Sequence, residues 1–435
     1  MLISTLTGLK ARFAGSRAAG ASYARTRGGH GPRATEDRTH LDFALTPEQE
    51  LMRDSVRRMV AREIEPLLDR NDASHSLPKP AFMHALRHLA DLGLTAARLP
   101  ESAGGSGLGM LEYGIMVEQI PPQVAVTLIG HEASSARLYA DGNDEQRARL
   151  LPDFVAGRKL FCTGSTEPDT GSDPRGIRTR LTRNGERLLL NGRKMWITNV
   201  SACDAILVTC LDARDADRAG KVIKVVVERD RSPFDAREID TIGLKQGLLG
   251  EAVFQDCEIA PENVVATAAG GTEVLKSSWA VNRPLFGLLA VGLAQRAYEM
   301  ALEYAKVRRQ FGKPIAAHQL VQKNLADIVT AITASRLLSY YALSMIDHGQ
   351  ATEGHAAMAK RYAQNACQEA IWQAMNLFGA MGLATEGRIE ALYRDVRMIA
   401  IPDGTNEILA LIHGRDLTGM EAFRGLGARQ DRSGE

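Results

Sequence analysis

The histidines and cysteines are the residues in this sequence whose spacing most directly raises the question of metal chemistry. His84 and His88 are four residues apart, so on a helix both imidazole rings would lie on one face. No third ligand stands near them, and we therefore predict a solvated helix face and no metal site. The cysteines are odd in number and contain no C-x-x-C pair, which argues against a zinc site or a disulfide framework and favours a reducing interior. They are Cys162, Cys203, Cys210, Cys257 and Cys367.

Four other segments combine hydroxyl, carboxylate, guanidinium and aromatic side chains with glycines. They are residues 165–173 (STEPDTGSD), residues 191–199 (NGRKMWITN), residues 304–319 with Tyr304, Arg308, Phe311, Gly312 and Gln319, and residues 394–408 with RDVR followed by DGTNEI. In this order and at these distances the segments resemble the motifs of the acyl-CoA dehydrogenase family, and the resemblance covers residues 41–418. It implies FAD as the cofactor, an acyl thioester as the substrate and a role in fatty-acid metabolism.

The resemblance also implies which side chains contact the flavin ring. Thr166 and Thr198 match the hydroxyl donors to the isoalloxazine, and Trp196 matches the aromatic wall beside it. Such groups tune the cofactor, while the chemistry is the cofactor's own. Ser172 matches a position near the pantetheine chain of the substrate. The alternatives are plain strand residues for Trp196 and Thr198 and a turn hydroxyl for Ser172.

A second group of cofactor residues comes, by the same resemblance, from a neighbouring subunit. Arg308 and Gln319 match residues that reach the phosphates and adenine of FAD, and an arginine suits a pyrophosphate because its fork donates two hydrogen bonds to one anion. The alternative for Arg308 is an exposed arginine at a helix end. A cofactor site that spans subunits implies an oligomer, and the family suggests a homotetramer. The other matching positions are Phe311, Asn376, Gly379, Thr405 and Glu407.

Asp403 occupies the position of the base that removes the α-proton of the thioester. The family commonly has glutamate there, and the shorter aspartate loses about 1.5 Å of reach. Other branches place the glutamate just before Arg283, where this chain has Asn282, which cannot act as a base. The alternative for Asp403 is a turn residue that caps the following helix. Arg283 and Gly404 match substrate-binding positions.

Other departures from the family concern the CoA and FAD contacts. Asn376 replaces a glutamine, Ala380 replaces a glycine in the family's Q-x-x-G-G-x-G, and Ala280 stands where a close relative has aspartate. FAD binding is still expected, while the details of CoA binding are expected to differ.

Three functions are compatible with these residues. The first is an acyl-CoA dehydrogenase that makes a trans-2-enoyl thioester and passes electrons to an electron-transfer flavoprotein. The second keeps the fold but acts on a nitroalkane, as nitroalkane oxidase does with an aspartate base, or on an acyl group bound to a carrier protein. The third is a flavin-binding relative without activity. Four arginines could contact phosphates of CoA or of a carrier protein, or could form a solvated strand face: Arg175, Arg178, Arg180 and Arg183.

The elements that must position these residues form an α+β multidomain chain. Periodicity predicts an N-terminal α-helical domain at residues 41–159, with Thr46 and Pro47 at a helix start. Short β-branched runs and the pairs Asn184-Gly185 and Asn191-Gly192, both read as hairpin turns, predict a middle β-barrel or sandwich domain at residues 160–267. A C-terminal four-helix bundle is predicted at residues 268–420, with helices near 273–309, 319–348, 354–378 and 407–417.

Composition and net charge limit the classes of function and the compartments that the sequence allows. The 435 residues carry a net charge of +1, which gives no electrostatic footprint for nucleic acid, and no apolar run is long enough for a membrane span. Residues 1–35 hold six basic and no acidic side chains, typical of a mitochondrial presequence and equally of a disordered tail. We predict residues 1–40 and 421–435 to be tails, and a soluble intracellular protein: bacterial cytoplasm, or the mitochondrial matrix if residues 1–39 are a transit peptide.

Overall fold

The computed structural model describes residues 43–173, 176–215, 220–265, 271–420 and 422, and for residues 271–278 the backbone alone. The chain divides into residues 1–45 and residues 46–435, and every helix and strand below lies in the second unit. The predicted tails, apart from Ala422, and Arg175 lie outside the described residues.

The first third of the folded unit is helical. Thr46 caps the first helix as predicted, because its hydroxyl accepts from the backbone of Gln49 and the Gln49 side chain accepts from the backbone of Thr46. A π-helical turn, Val60–Ile64, joins the first two helices. The helices are α1 (Pro47–Met59), α2 (Glu65–Arg70), α3 (Lys79–Asp91), α4 (Met110–Val117), α5 (Pro122–Asp141) and α6 (Asp144–Val155).

The middle third is a mixed sheet of eight strands, which agrees with the predicted β domain. The strands are β1 (Phe161–Gly164), β2 (Arg180–Asn184), β3 (Arg187–Thr198), β4 (Ala205–Ala213), β5 (Lys221–Glu228), β6 (Asp235–Glu238), β7 (Leu249–Ile259) and β8 (Val264–Val265). Their order is β6-β7-β3-β2-β4-β5-β8, and β1 pairs in parallel with β4. The predicted turn at Asn184-Gly185 joins β2 to β3.

The second predicted turn, at Asn191-Gly192, is wrong. β3 continues through it, and the register with β7 shifts between Leu190 and Gly192. A Cβ at Gly192 would lie 2.4 Å from Thr179 Oγ1, so the glycine is needed for close packing of backbone and not for a reversal. Because β3 pairs with β7 both before and after Asn191-Gly192, the strand continues through these two residues.

Among the described residues, the last third contains five α-helices where four were predicted. The additional helix, α10, begins at Ile389, and the preceding Arg388 has a left-handed backbone and makes no capping hydrogen bond through its side chain, so no start signal marked the helix. Its buried face is apolar except for Asp395, with Ile389, Val396 and Ile399 fully buried. The elements are α7 (Gly271–Val307), β9 (Arg309–Gln310), β10 (Lys313–Pro314), α8 (Gln319–Asp347), α9 (Glu353–Phe378), α10 (Ile389–Ile399) and α11 (Asn406–Thr418).

One apolar core joins the two helical regions, and the sheet has a core of its own. Leu86 and Leu128 from the first third share their cluster with Leu289 and Ile371 from the last. Along α7 the buried positions include small alanines, which allow close packing of helices. No helix in the described part of the chain has an apolar stretch long enough to cross a bilayer.

Candidate active site

The T-E-P segment lies alongside β3. The N–H of Met195 donates to the carbonyl of Thr166 at 3.0 Å, and Lys194 Nζ donates to the carbonyl of Ser165 at 3.1 Å. These bonds fix the segment after β1 against the strand. The segments of Thr166 and Thr198, which the sequence separates by 32 positions, are therefore neighbours in space.

Buried Glu167 holds this segment in place by accepting three hydrogen bonds. Its carboxylate accepts from Lys194 Nζ at 2.8 Å and from the backbone N–H groups of Arg178 and Thr179 at 2.7 and 3.0 Å. Burial acts to raise the pKa of Glu167, but the hydrogen bonds from Lys194 and Thr179 outweigh it and the net shift is downward. The buried carboxylate therefore stays ionised and has a structural role, since its acceptor sites are occupied.

Trp196 lies in a bulge of β3. The register with β7 shifts again between Lys194 and Ile197, and Trp196 has φ 61°. A left-handed backbone is costly for a bulky side chain, by about 1–3 kcal/mol, and such strain concentrates at functional sites. The indole stays 52% exposed. A wide aromatic surface is thus presented beside Thr198, where the resemblance places a flavin.

Thr198 lines a cavity that reaches the C-terminal helices. The cavity has a volume of about 410 Å³, and its wall includes Phe286 of α7 and Pro402, the residue before Asp403. Gly130 of α5 faces the same threonine, since a Cβ there would lie 3.6 Å from Thr198 Cγ2. Thr198 of the β3 motif and Pro402 of the Asp403 loop therefore line the same cavity.

Asp403 and Gly404 form a strained turn between α10 and α11. Asp403 has φ 54°, which aspartate tolerates better than most residues, and Gly404 has φ 116°, which favours glycine. The residue Asp403 is half-buried, but its Oδ2 atom is fully buried and has no hydrogen-bond partner among the described residues. An unpaired buried carboxylate oxygen is unfavourable unless another group uses it.

Lys360 of α9 donates hydrogen bonds to the backbone of this turn. Its side chain is fully buried, and Nζ donates to three carbonyls of the loop: Gly404 at 2.7 Å, Ala400 at 3.3 Å and, at shorter range, Pro402. Burial lowers the pKa of Lys360 to about 7, while the charge of Asp403 acts to raise it. One side chain thus fixes the backbone on both sides of the carboxylate.

Opposing influences set the pKa of Asp403. Burial raises it, and this is the largest effect. The positive charges of Arg137, Lys360 and Arg283, together with a hydrogen bond from the Asn282 side chain to the carboxylate, act in the opposite direction. The net shift is upward. A carboxylate with a raised pKa is a stronger base, provided that it remains ionised at the working pH.

The side chain of Arg283 contacts the backbone of the Asp403 loop. It is 4% exposed, its Nε donates to the carbonyl of Asp403 at 2.9 Å, and its buried Nη1 has no partner within the part of the chain that the structure describes. Thr405, not Asp403, caps α11, because its hydroxyl accepts from the N–H of Ile408. The alternative of a helix-capping role for Asp403 is therefore wrong.

The remaining predicted residues lie at the surface. Ser172 is exposed, as are Arg178, Arg180 and Arg183. The stacked rings of Tyr304 and Phe378, 4.3 Å apart, bring the ends of α7 and α9 together. The other predicted cofactor positions form two groups. Exposed positions near these helix ends are Arg308, Phe311, Gln319, Asn376 and Gly379. Half-buried Thr405 and exposed Glu407 lie at the start of α11, beside Lys360 and Asn365 of α9.

Two residues of interest were missed in the sequence. Lys360 falls on the apolar face of α9, four residues after buried Ala356 and four before buried Gln364, and a lysine on such a face is the signal that could have identified it. The statement that His84 and His88 lack a third ligand is wrong, because the fold brings Glu63 to them. All five cysteines are free and buried.

Comparison with known proteins matches three family models to successive parts of the chain. They are the acyl-CoA dehydrogenase N-terminal domain at residues 46–158, the middle domain at residues 162–257 and the C-terminal domain at residues 269–418.

Individual relatives agree over almost their whole length. An acyl-CoA dehydrogenase of Bacillus subtilis (strain 168) is 32% identical over 387 residues, which is 86% of this chain and 99% of the relative. The butyryl-CoA dehydrogenase structure from Megasphaera elsdenii has a TM-score of 0.80 and 29% identity, covering 87% of this chain and 100% of that one. A glutaryl-CoA dehydrogenase from Mycobacterium smegmatis in complex with FADH2 has a TM-score of 0.80 and 25% identity, covering 87% and 97%.

Proposed function

Since the chain belongs to the acyl-CoA dehydrogenase family, we propose that it oxidises an acyl-CoA thioester to the trans-2-enoyl thioester, with FAD as cofactor and Asp403 as base. The observation that carries this proposal is the buried Oδ2 of Asp403, which has no hydrogen-bond partner among the described residues, directly after Pro402, which lines the cavity with Thr198. A catalytic carboxylate needs an oxygen that the protein leaves unpaired.

The residues present fit a flavin. Thr166 and Thr198 supply hydroxyls on neighbouring segments, and the exposed indole of Trp196 supplies an aromatic surface. The cavity between Thr198 and Pro402 gives room between the sheet and the helices. When bound there, FAD would supply a two-electron acceptor for a hydride.

The chain's own groups carry out the rest of the proposed reaction. The carboxylate of Asp403 would take the α-proton, and the electron pair of that C–H bond would form the new Cα=Cβ double bond. FAD held beside Thr166, Trp196 and Thr198 would supply the two-electron acceptor for the β-hydrogen. Arg283 and Lys360 hold the backbone around Asp403 and keep it in position. The thioester makes the α-hydrogen acidic enough for a carboxylate base. We propose an electron-transfer flavoprotein as the acceptor that reoxidises the cofactor.

Anaerobic titration of the purified protein with acyl-CoAs of graded length tests the proposal. We expect the visible band of the oxidised flavin to bleach with one class of acyl-CoA and an enoyl-CoA to appear in equal amount. A flavin that no acyl-CoA reduces would contradict the proposal. If a nitroalkane or a carrier-bound acyl group reduced it instead, the alternative functions on the same fold would be favoured.

We also propose that the FAD site is completed by a second copy of this chain, within a homotetramer. Phe311 is 93% exposed and has φ 50°, and Val307 and Leu320 nearby are 73% and 75% exposed. Large apolar side chains at such exposure favour an interface. Arg308, at the same helix end, would then meet the cofactor of the neighbouring subunit.

Arg308→Ala should weaken FAD binding by roughly 10- to 100-fold, the size of one charge-assisted contact. The adjacent Arg309→Ala is the matched control, because Arg309 Nη2 donates to the carbonyl of Gly312 in its own chain at 2.8 Å. Flavin content after gel filtration, together with the mass in solution, measures both effects. Equal flavin retention in the two variants, or a monomer that binds FAD fully, would contradict the shared site.

A further inference from the structure

A cluster of three potential metal ligands lies on the N-terminal helices. Glu63 Oε2 is 3.7 Å from His84 Nε2 and 3.6 Å from His88 Nε2, and the candidate ligand atoms of all three residues lie within 4.8 Å of one another. All three residues are partly exposed, at 24%, 43% and 28% for the side chains. An ion could therefore enter from solvent.

The backbone explains why Glu63 reaches α3. Pro66 has no N–H and its ring would crowd the carbonyl of Arg62 in a regular α-helix. The chain instead forms the π-helical turn Val60–Ile64, in which the N–H of Glu65 donates to the carbonyl of Val60. Such a turn changes which face the following side chains occupy, and it is frequent at functional sites. Glu63 lies within it.

The surrounding groups direct the right atoms inward. Arg62 Nε donates to Glu63 Oε1 at 2.7 Å, which leaves Oε2 as the oxygen that faces the two imidazoles. On the other side of His88, Nδ1 lies 3.8 Å from Asp91 Oδ2. When Nδ1 carries the proton and turns toward this carboxylate, the Nε2 lone pair is free to bind a metal.

We propose that Glu63, His84 and His88 form a binding site for a divalent transition-metal ion such as Zn²⁺. Two imidazoles and a carboxylate, with water as the fourth ligand, are a zinc donor set. Ligand atoms around a tetrahedral Zn²⁺ are about 3.3 Å apart, given bonds of about 2.0–2.1 Å. The observed separations from Glu63 require only small side-chain rotations to close. A bound ion would link α3 to the π-helical turn.

Zinc titration of the full-length protein, after chelator treatment and removal of the chelator, tests this proposal. Calorimetry should show one site in the wild type whose affinity falls more than about tenfold in His84→Asn and in Glu63→Gln. Zinc should also raise the Tm of the wild type but not of these variants. Magnesium should produce neither effect, because it prefers all-oxygen sites.

His348→Asn is the matched control. His348 is another exposed histidine, at the end of α8, where its Nδ1 lies 2.7 Å from the carbonyl oxygen of Ser344, and it is not part of the Glu63 cluster. It should bind zinc as the wild type does. The Tm values without metal and the flavin spectra should agree among all forms, which shows that the variants fold. Equal zinc affinity in the wild type and His84→Asn, or an equal loss in His348→Asn, would overturn the site.

Discussion

Asp403→Asn should retain FAD and lose reduction of the flavin by acyl-CoA, with the rate constant falling by about 10³-fold or more. The amide has almost the shape of the carboxylate and can occupy the same left-handed turn, since asparagine also tolerates a positive φ. It cannot accept the α-proton. Stopped-flow reduction under anaerobic conditions measures the effect directly, and the flavin spectrum checks that the cofactor is still bound.

Asp395→Asn is the matched control for this substitution. Asp395 is also a buried aspartate, and burial raises its pKa to about 6. Its carboxylate is used by the protein, because Oδ1 accepts from the N–H of Leu244 at 2.5 Å and Oδ2 from Gln123 at 3.3 Å. We expect flavin reduction within about tenfold of the wild type in this control, since no proton-transfer group is removed. Normal reduction in Asp403→Asn would contradict the assignment of the base.

Asp403→Glu gives further information about the same position. The family's usual residue is longer by one methylene, so the turn must accommodate it. Activity in this variant is expected, because the base is retained. A complete loss would indicate that the pocket is shaped around the shorter acid, with the buried Oδ2 at the distance the substrate requires.

Lys360→Met should slow flavin reduction by roughly 10²-fold, because a displacement of the reacting group of about 1 Å has an effect of that size. Methionine fills a similar volume but offers no donor to the carbonyls of Ala400, Pro402 and Gly404. The loop around Asp403 is then no longer fixed by the helix below it. The first measurement is the same stopped-flow assay.

The variant should also change the dependence of the rate on pH. The base must be ionised, so the rate rises with pH through the pKa of Asp403. The charge of Lys360 lowers that pKa, and its removal should therefore move the profile to higher pH. Because burial lowers the pKa of Lys360 itself to about 7, the difference from the wild type should be largest below pH 7, where the ammonium is charged.

Lys323→Met controls for the loss of a lysine. Lys323 is 64% exposed and pairs with Asp327 within α8 at 2.5 Å, a surface interaction of little energetic weight. It should leave the rate and its pH profile unchanged. A Lys360→Met protein with the wild-type rate and profile would show that Lys360 does not position the base.

The sequence by itself determined most of the local elements and the order of the motif residues. Thr46 and Pro47 mark a helix start because a hydroxyl acceptor and a residue without an N–H suit the unpaired first turn. Asn184-Gly185 marks a hairpin because both partner strands are its immediate neighbours in the chain. The motif residues from Thr166 to Glu407 were recognised from their type and order alone.

The tertiary structure alone decided how those residues are used. Asn191-Gly192 resembles the other turn, but pairing with β7 carries the strand through it. The role of Lys360 depends on the Asp403 loop, whose carbonyls accept its hydrogen bonds only in the folded chain. Glu63 lies beside His84 only because a π-helical turn precedes Pro66. The unpaired Oδ2 of Asp403 is likewise a property of its surroundings. Propensity and capping act between near neighbours in the chain, whereas burial, charge and ligand geometry depend on segments that only packing brings together.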